Sequence, residues 1–258
     1  MFEHLVDIYT STLVSTLTGW KGTSGSRKTE LPADDIVLFD RELCPECRTV
    51  RQAVTELNLD VMVYPCPEEG DRFKSLLEEL SGSIQLPFLF DKNSGQKLVG
   101  KDAILEYLFK EYGQKEVPEK YTSQRFNGLL EPVVEFSIEA LRLKKGKSAK
   151  LSNLPEQPLI LYSFESSPFS RPVRERLCEL EIPYKLVNLG KQQRADMGPA
   201  GFRMHTGPYV PVKGSKREAF LAKYNDVMVP FLIDPNTGQE LFHSKKILAY
   251  LNREYAKH

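Results

Sequence analysis

The sequence predicts an α/β chain built from two copies of one βαβαββα unit. Short apolar runs alternate with amphipathic helical segments from Pro32 onward. A Cys-x-x-Cys pair sits where the first of those runs gives way to a helix. The whole pattern then returns later in the chain at a fixed displacement. With 258 residues there is room for two units of about 100–150 residues each.

Residues 1–33 precede the first unit. Phe2, Leu5, Val6, Tyr9, Leu13, Val14 and Leu17 recur at spacings of three and four, which predicts an amphipathic helix whose apolar stripe packs on the body of the protein. A membrane-surface helix would carry Lys and Arg on its polar face, whereas this one carries Glu3, His4 and Asp7. Residues 19–28, with three glycines, read as a flexible connector.

The first unit spans 34–114. Ile36-Val37-Leu38-Phe39 reads as a buried strand, and Val50, Ala53, Val54 and Leu57 follow at helical spacing. Between them lies Leu43-Cys44-Pro45-Glu46-Cys47. Pro45 suits a first helical turn, which puts Cys44 at the N-cap, where free N–H groups and the helix dipole favour a thiolate. In this context the pair is a redox motif, with Cys44 the exposed attacking thiolate and Cys47 the resolving thiol. The same spacing serves zinc sites, but zinc needs two more ligands and only Cys66 offers itself, so no metal is expected. Glu46 opposes the thiolate while Arg48 and Arg51 favour it. At roughly 6–8 Å each contributes about 0.5–3 kcal/mol, which leaves the net sign open.

A second strand over 60–65, a helix over 72–80 and a strand opening with Leu86-Pro87 come next. A turn at Asn93-Ser94-Gly95-Gln96 leads to Leu98-Val99, and a helix over 101–112 closes the unit. Parallel strands end on one sheet edge, so Cys66, at the end of the second strand, is either a third thiol near Cys44 or a small apolar loop residue.

Residues 158–258 repeat the unit. Leu159 to Ser163 is again a strand, and Ser167 and Ser170 lie 123 positions after Cys44 and Cys47. The segment Val229-Pro230 to Leu241 restates Leu86-Pro87 to Leu98 at a displacement of 143, as Ile247, Tyr250, Leu251 and Tyr255 restate Ile104, Tyr107, Leu108 and Tyr112. The second copy therefore carries 20 extra residues within 191–226. Residues 115–157 link the copies through a helix around 129–143 and a basic loop, Lys144 to Lys150, read as solvated linker. Cys178 reads as core, and His4, His205, His243 and His258 read as scattered, with no catalytic cluster.

A strand, a Cys-Pro-x-Cys helix, a proline-led strand, a hairpin and a closing helix together resemble a thioredoxin-like fold of the glutaredoxin type. In detail the chain resembles the N-terminal domain of glutathione S-transferases. Taken as a pair, the copies are similar to a tandem glutathione-transferase N-domain family of cyanobacteria and plastids. The resemblance implies cis peptides at Pro87 and Pro230. It also implies glutathione contacts at Leu86, Pro87, Lys101 and Asp102 in the first copy and at Val229, Pro230 and Ser244 in the second. Two departures stand out. The helical domain of a full transferase does not follow either copy, and serines fill both redox positions of the second, leaving Ser167 and Ser170 as a vestigial site.

Charge, cysteines and apolar runs bound the function. Thirty-five Lys and Arg balance thirty-five Asp and Glu, so no global charge draws the chain to nucleic acid or anionic lipid. Four cysteines are too few for a disulfide framework and fit a reducing compartment. No apolar run approaches the ~18 residues that a membrane span needs, and the N-terminus lacks the basic start of a secretion signal. A cytoplasmic location is expected, or the plastid stroma in a photosynthetic eukaryote. The leading expectation is a thiol–disulfide oxidoreductase acting on a protein disulfide or on glutathione, with the second copy binding a partner protein. A glutathione transferase using Ser167 or Cys44, and a non-enzymatic assembly module, are the alternatives.

Overall fold

The computed structural model describes residues 2–27, 31–122, 131–199, 203 and 207–257. After an N-terminal helix, α1 (Phe2–Leu17), come β1 (Ile36–Asp40), α2 (Pro45–Glu56), β2 (Val61–Pro65), α3 (Lys74–Ser81), β3 (Phe88–Asp91), β4 (Lys97–Val99) and α4 (Lys101–Glu111). Two connecting helices follow, α5 (Glu119–Thr122) and α6 (Glu131–Leu141). The second half runs β5 (Leu159–Ser163), α7 (Arg171–Glu179), β6 (Tyr184–Asn188), α8 (Lys216–Tyr224), β7 (Phe231–Asp234), β8 (Gln239–Phe242) and α9 (Ser244–Glu254). Both halves thus have the βαβαββα order that the repeat predicts.

The strands make one mixed sheet of eight, ordered β4-β3-β1-β2-β6-β5-β7-β8. Within each half the strand after the helix crossover runs parallel to the first, and the hairpin runs antiparallel. Val50, Ala53 and Val54 of α2 and its C-cap Leu57 meet Ile104, Leu105 and Leu108 of α4 in one apolar cluster, which continues through Val173, Leu177, Ile247 and Leu251 of the second half. Burial of this apolar area is the main favourable contribution to folding, at about 25 cal/mol per Å².

The halves meet edge to edge where β2 pairs antiparallel with β6. Val61 faces Leu186, Met62 faces Lys185 and Val63 faces Tyr184. Tyr184, Lys185 and Leu186 are the second-half equivalents of Val61, Met62 and Val63, so the register is symmetric about the Met62–Lys185 pair. Beneath this seam two buried arginines at equivalent positions exchange partners. Arg51 Nε donates to Glu165 Oε2 at 2.9 Å, and Arg174 Nε donates to Glu42 Oε1 at 2.9 Å. Arg51 additionally holds both Asp40 oxygens, at 2.7 and 2.6 Å. Buried charges are tolerated only when paired in this way.

Each half also closes on the same lock. The carboxylate of Asp91 accepts from Tyr107 Oη at 2.7 Å, from Tyr112 Oη and from the Asn93 backbone N–H at 2.8 Å. Asp234 accepts from Tyr250 Oη at 2.6 Å, from Tyr255 Oη and from the Asn236 N–H at 2.8 Å. These bonds satisfy a carboxylate buried at the root of the hairpin.

Three expectations are corrected. The apolar stripe of α1 does not pack on the body as a whole: Leu5 and Tyr9 are 62% and 66% exposed, while Ser11, Val14 and Ser15 are buried. The polar side turns inward because buried guanidinium groups need acceptors there. Arg171 Nε and a terminal nitrogen reach Ser11 Oγ and Ser15 Oγ at 3.1 and 3.0 Å, and Arg142 reaches the Asp7 carbonyl at 3.0 Å. The connector is not free of the body over 19–27 but forms a strap. Gly25 N–H donates to the Lys191 carbonyl at 3.0 Å and Lys191 N–H to that of Thr23 at 2.8 Å. Gly22, at φ 74°, lies where a Cβ would come within 2.7 Å of the Glu165 side chain. The basic loop, finally, keeps exposed lysines at 144 and 150 but is pinned to the body. Lys147 pairs with Glu139 and Lys150 with Glu179, both at 2.6 Å, and the Gly146 N–H donates to Glu179 at 3.1 Å. The linker helix ends at Leu141; the expected positions 129 and 130 lie outside the described residues.

Candidate functional site

At the end of β1 the chain turns into α2 with Cys44 as N-cap and Pro45 in the first turn, as the sequence predicts. The Cys47 backbone N–H donates to Cys44 Sγ at 3.3 Å. The Cys47 thiol bonds to the same sulfur, and chiefly for that reason the Cys44 thiol falls to about 6, against an opposing push from burial. Burial, first, and the bond to Cys44 hold Cys47 far above the ordinary thiol range. The sign left open in the sequence is thus decided within the motif. Neither Arg48 nor Arg51 is the decisive charge: Arg48 pairs with Glu135, and Arg51 is taken by Asp40 and Glu165. Among fixed charges, Asp40 opposes the thiolate and Arg41 favours it.

Cys44 was expected to be exposed, and this is corrected. It is 8% exposed, because the N-cap tucks its sulfur against the amides of α2. Cys66 reaches the same sheet edge, its N–H donating to the Asp40 carbonyl at 2.7 Å. It is buried, and that burial pushes its thiol up to about 12, so it is protonated at neutral pH. Cys178 is buried, with its sulfur 3.2 Å from the Gly146 carbonyl. All four cysteines are free thiols.

The peptides before Pro87 and Pro230 are both cis, as the resemblance implied. In the first half the Gly100 N–H donates to the Pro87 carbonyl at 2.9 Å. Lys101, expected to add charge at the start of α4, is paired with its neighbour Asp102 at 3.3 Å. The second half reproduces the local geometry with different atoms. Ser170 N–H donates to Ser167 Oγ at 3.3 Å, and Ser170 Oγ donates to it at 3.0 Å. Ser167, Pro230 and Ser244 line a cavity of about 850 Å³.

Sequence reasoning missed most of that cavity. Its walls come from places far apart in the chain: α1, the strap, the β5–α7 loop, the 191–226 insertion, the proline strand and the start of α9. His4 of α1 brings Nε2 to 3.3 Å from Ser244 Oγ, and His243 lines the same space, so two histidines read as scattered converge here. Burial lowers the His4 pKa. His205 and His258 lie outside the described residues. The insertion supplies a 3-10 turn, Arg194–Asp196, and the cavity-lining Lys191, Asp196 and Arg203. One signal was available: Glu42 and Glu165, Arg48 and Arg171, and Arg51 and Arg174 recur at the displacement of the cysteines. Charged residues that recur at the displacement of the repeat mark an inward-facing network.

Among the described residues no group of three His, Cys, Asp or Glu side chains is placed to hold a metal ion. No described helix is long and apolar enough to cross a membrane. No curated protein and no solved structure matches the chain. The family model for the glutathione S-transferase N-terminal domain matches twice, over residues 38–116 and 161–258. Those two regions take in most of the sequence, and each covers most of one half of the sheet together with its Cys or Ser pair. The chain belongs to the glutathione S-transferase N-terminal domain family.

Proposed function

We propose that the chain is a glutaredoxin-like thiol–disulfide oxidoreductase that works through Cys44 and Cys47, its two halves being tandem thioredoxin-like domains. The observation that carries this reading is the helix-capping sulfur of Cys44, lowered to about 6 and in contact with a protonated thiol. At neutral pH such a group is largely thiolate, the nucleophilic form. Cys44 attacks one sulfur of a substrate disulfide; a mixed disulfide forms and the substrate's other sulfur leaves as a thiolate. Cys47 then gives up its proton and attacks Cys44 Sγ, which releases the second substrate thiol and leaves the Cys44–Cys47 disulfide. A dithiol or two molecules of glutathione reverse the sequence and restore the pair.

An extended thiol peptide fits beside Leu86-Pro87, with a carboxylate directed to the first turn of α4 near Lys101 and Asp102. Glutathione and a protein disulfide are the partners this reading names, and a reducing compartment, cytoplasm or stroma, is where it would operate. Ser167 and Ser170 cannot form a disulfide, so the second half binds and does not exchange.

The test is trapping. Cys47→Ser should accumulate a mixed disulfide on Cys44, Cys44→Ser should abolish reductase activity, and the wild-type pair should have a potential between roughly −200 and −270 mV. A pair that never oxidises would remove the redox reading. The second-half cavity favours one other reading, glutathione transfer at Ser167. Glutathione conjugation that survives Cys44→Ser and vanishes in Ser167→Ala would establish that one instead.

A further inference from the structure

We propose that the outer face of α1 and α6 docks a second copy of the chain, the two faces closing a four-helix layer about a two-fold axis. The inference is independent of the chemistry at Cys44.

It starts from two inverted helices. A surface helix ordinarily turns its apolar stripe to the core. Here α1 and α6 pack on one another and are held to the body by polar contacts. Arg171 of α7 reaches Ser11 and Ser15 of α1, and Arg48 of α2 pairs with Glu135 of α6. Arg142, just past the end of α6, bridges the Asp7 carbonyl of α1 and Glu175 of α7. The apolar residues are left outside. Leu5 and Tyr9 of α1 share one stripe four residues apart, and Val133 and Phe136 of α6 share another three apart, with Val6 beside the first. Phe136 is 74% exposed and Val133 57%. Asp7, Glu135 and Glu139 are drawn off these stripes by Lys145, Arg48 and Lys147.

The area suits a dimer. An aromatic ring buries about 150–250 Å² and an aliphatic side chain roughly 60–120 Å², so the exposed parts of these five residues offer about 300–550 Å² of apolar surface. A standard interface takes about 800 Å² from each partner, a little over half of it apolar.

Symmetry points to a second copy of the same chain. The α6 helix and the basic loop restate α1 and the strap at a displacement of 124 residues. Trp20 N–H donates to the Ser15 carbonyl at 2.7 Å, and Lys144 N–H to that of Glu139 at 3.3 Å. Gly22 and Gly146 adopt φ 74° and 79°, where a Cβ would come within 2.7 Å of Glu165 and 2.9 Å of Glu42. Lys191 N–H meets the Thr23 carbonyl and Glu68 N–H the Lys147 carbonyl, both at 2.8 Å. The face is thus built from one helix of each repeat, and both helices lie outside the regions that the family model matches. A face of two equivalent helices can meet its own copy helix on helix, which is an isologous contact. The net charge of zero leaves no overall repulsion between copies. Neither helix contains a Lys or Arg, which docking on an anionic membrane would favour.

The experiment is sedimentation of the whole chain between about 1 and 200 µM. Wild type should pass from 29.4 kDa to twice that mass and stop there. Tyr9→Glu combined with Phe136→Glu puts carboxylates into the apolar contact and should weaken association at least a hundredfold, with unchanged far-UV circular dichroism. Tyr9→Phe should keep the dimer. If the double variant fails to fold, Leu5→Lys with Val133→Lys tests the same stripes. A wild type that stays monomeric over the whole range overturns the proposal, as does growth beyond the dimer. Undiminished association of a folded double variant overturns it too, by assigning the contact to another face. Co-sedimentation of a monomeric wild type with phosphatidylglycerol vesicles would replace the second copy by a membrane.

Discussion

The two halves of the molecule place the same backbone around different atoms. In both, a side chain at the turn into the helix accepts the N–H three residues on at 3.3 Å; in one the acceptor is the sulfur of the N-cap Cys44, in the other the oxygen of Ser167, three residues ahead of the N-cap Ser170. The Cys44 thiol is lowered to about 6, whereas a serine hydroxyl in the corresponding place is far less acidic and cannot form a disulfide. The surroundings diverge accordingly. Asp40 stands beside Arg51 in the first half, and the equivalent place beside Arg174 is Ser163, whose Oγ lies at 3.3 Å. The second half has instead an insertion that joins the strap and the N-terminal helix around a cavity. The second half thus keeps the element order of the first without its cysteine pair.

The ion-pair seam is where that comparison breaks most visibly. Arg51→Met strands buried Asp40, which has no other ion-pair partner among the described residues, while Glu165 keeps Arg174 at 3.0 Å; it should cost about 3–5 kcal/mol in urea unfolding. Arg174→Met leaves Arg51 beside both of its carboxylates, Glu165 at 2.9 Å and Glu42 at 3.6 Å, so its cost should be smaller. Equal losses would mean that Asp40 adds nothing to the first half.

Acid should open the same seam. Burial alone would raise the Glu165 carboxyl, but Arg174 and Arg51 outweigh it and hold the group at about 2 in the folded chain. Against an unfolded value of roughly 4.3, this contributes stability that is full above about pH 5 and is lost as pH falls to 2, on the order of 3 kcal/mol for the single group. Glu165→Gln should flatten that part of the stability profile. A variant that retains the wild-type acid slope would assign the loss to other carboxylates.

The smallest expected effect sits at the cap of the last helix in each half. Gly100 adopts φ 86°, and its counterpart His243 adopts φ 69°, a region that side chains rarely enter. His243→Gly should raise stability by up to about 1 kcal/mol, and Gly100→His should lower it by a comparable amount. Thermal melts of the two variants shifting in the same direction would contradict the equivalence of these positions.

What the sequence made legible was local or repeated. The alternation of apolar runs gave the element order, and the paired displacements revealed the second copy through Ser167, Pro230 and Tyr255. The helix-capping place of Cys44 followed from Pro45 alone. What it hid was mostly between elements. The α1 stripe of Leu5 and Tyr9 suggested burial, yet the buried guanidinium of Arg171 drew Ser11 and Ser15 inward, and nothing near residue 11 announces a partner at 171. Arg51 was read as a neighbour of the thiolate because it lies one turn beyond Cys47; its carboxylates lie at 40 and 165. His4 and Lys191 meet at the cavity through the folding of segments remote in the chain, a juxtaposition with no local signature.

The Met62–Lys185 seam has a consequence in mass action. As separate chains, β2 and β6 would each present an open row of N–H and C=O groups, and their pairing would depend on protein concentration. On one polypeptide the encounter is intramolecular, at an effective concentration that dilution cannot lower. With α1 and α6 kept from a second copy, as in the Tyr9→Glu, Phe136→Glu chain, the melting temperature should therefore be independent of protein concentration, and the strand edges left available for other contacts are β4 and β8, at the two far ends of the sheet.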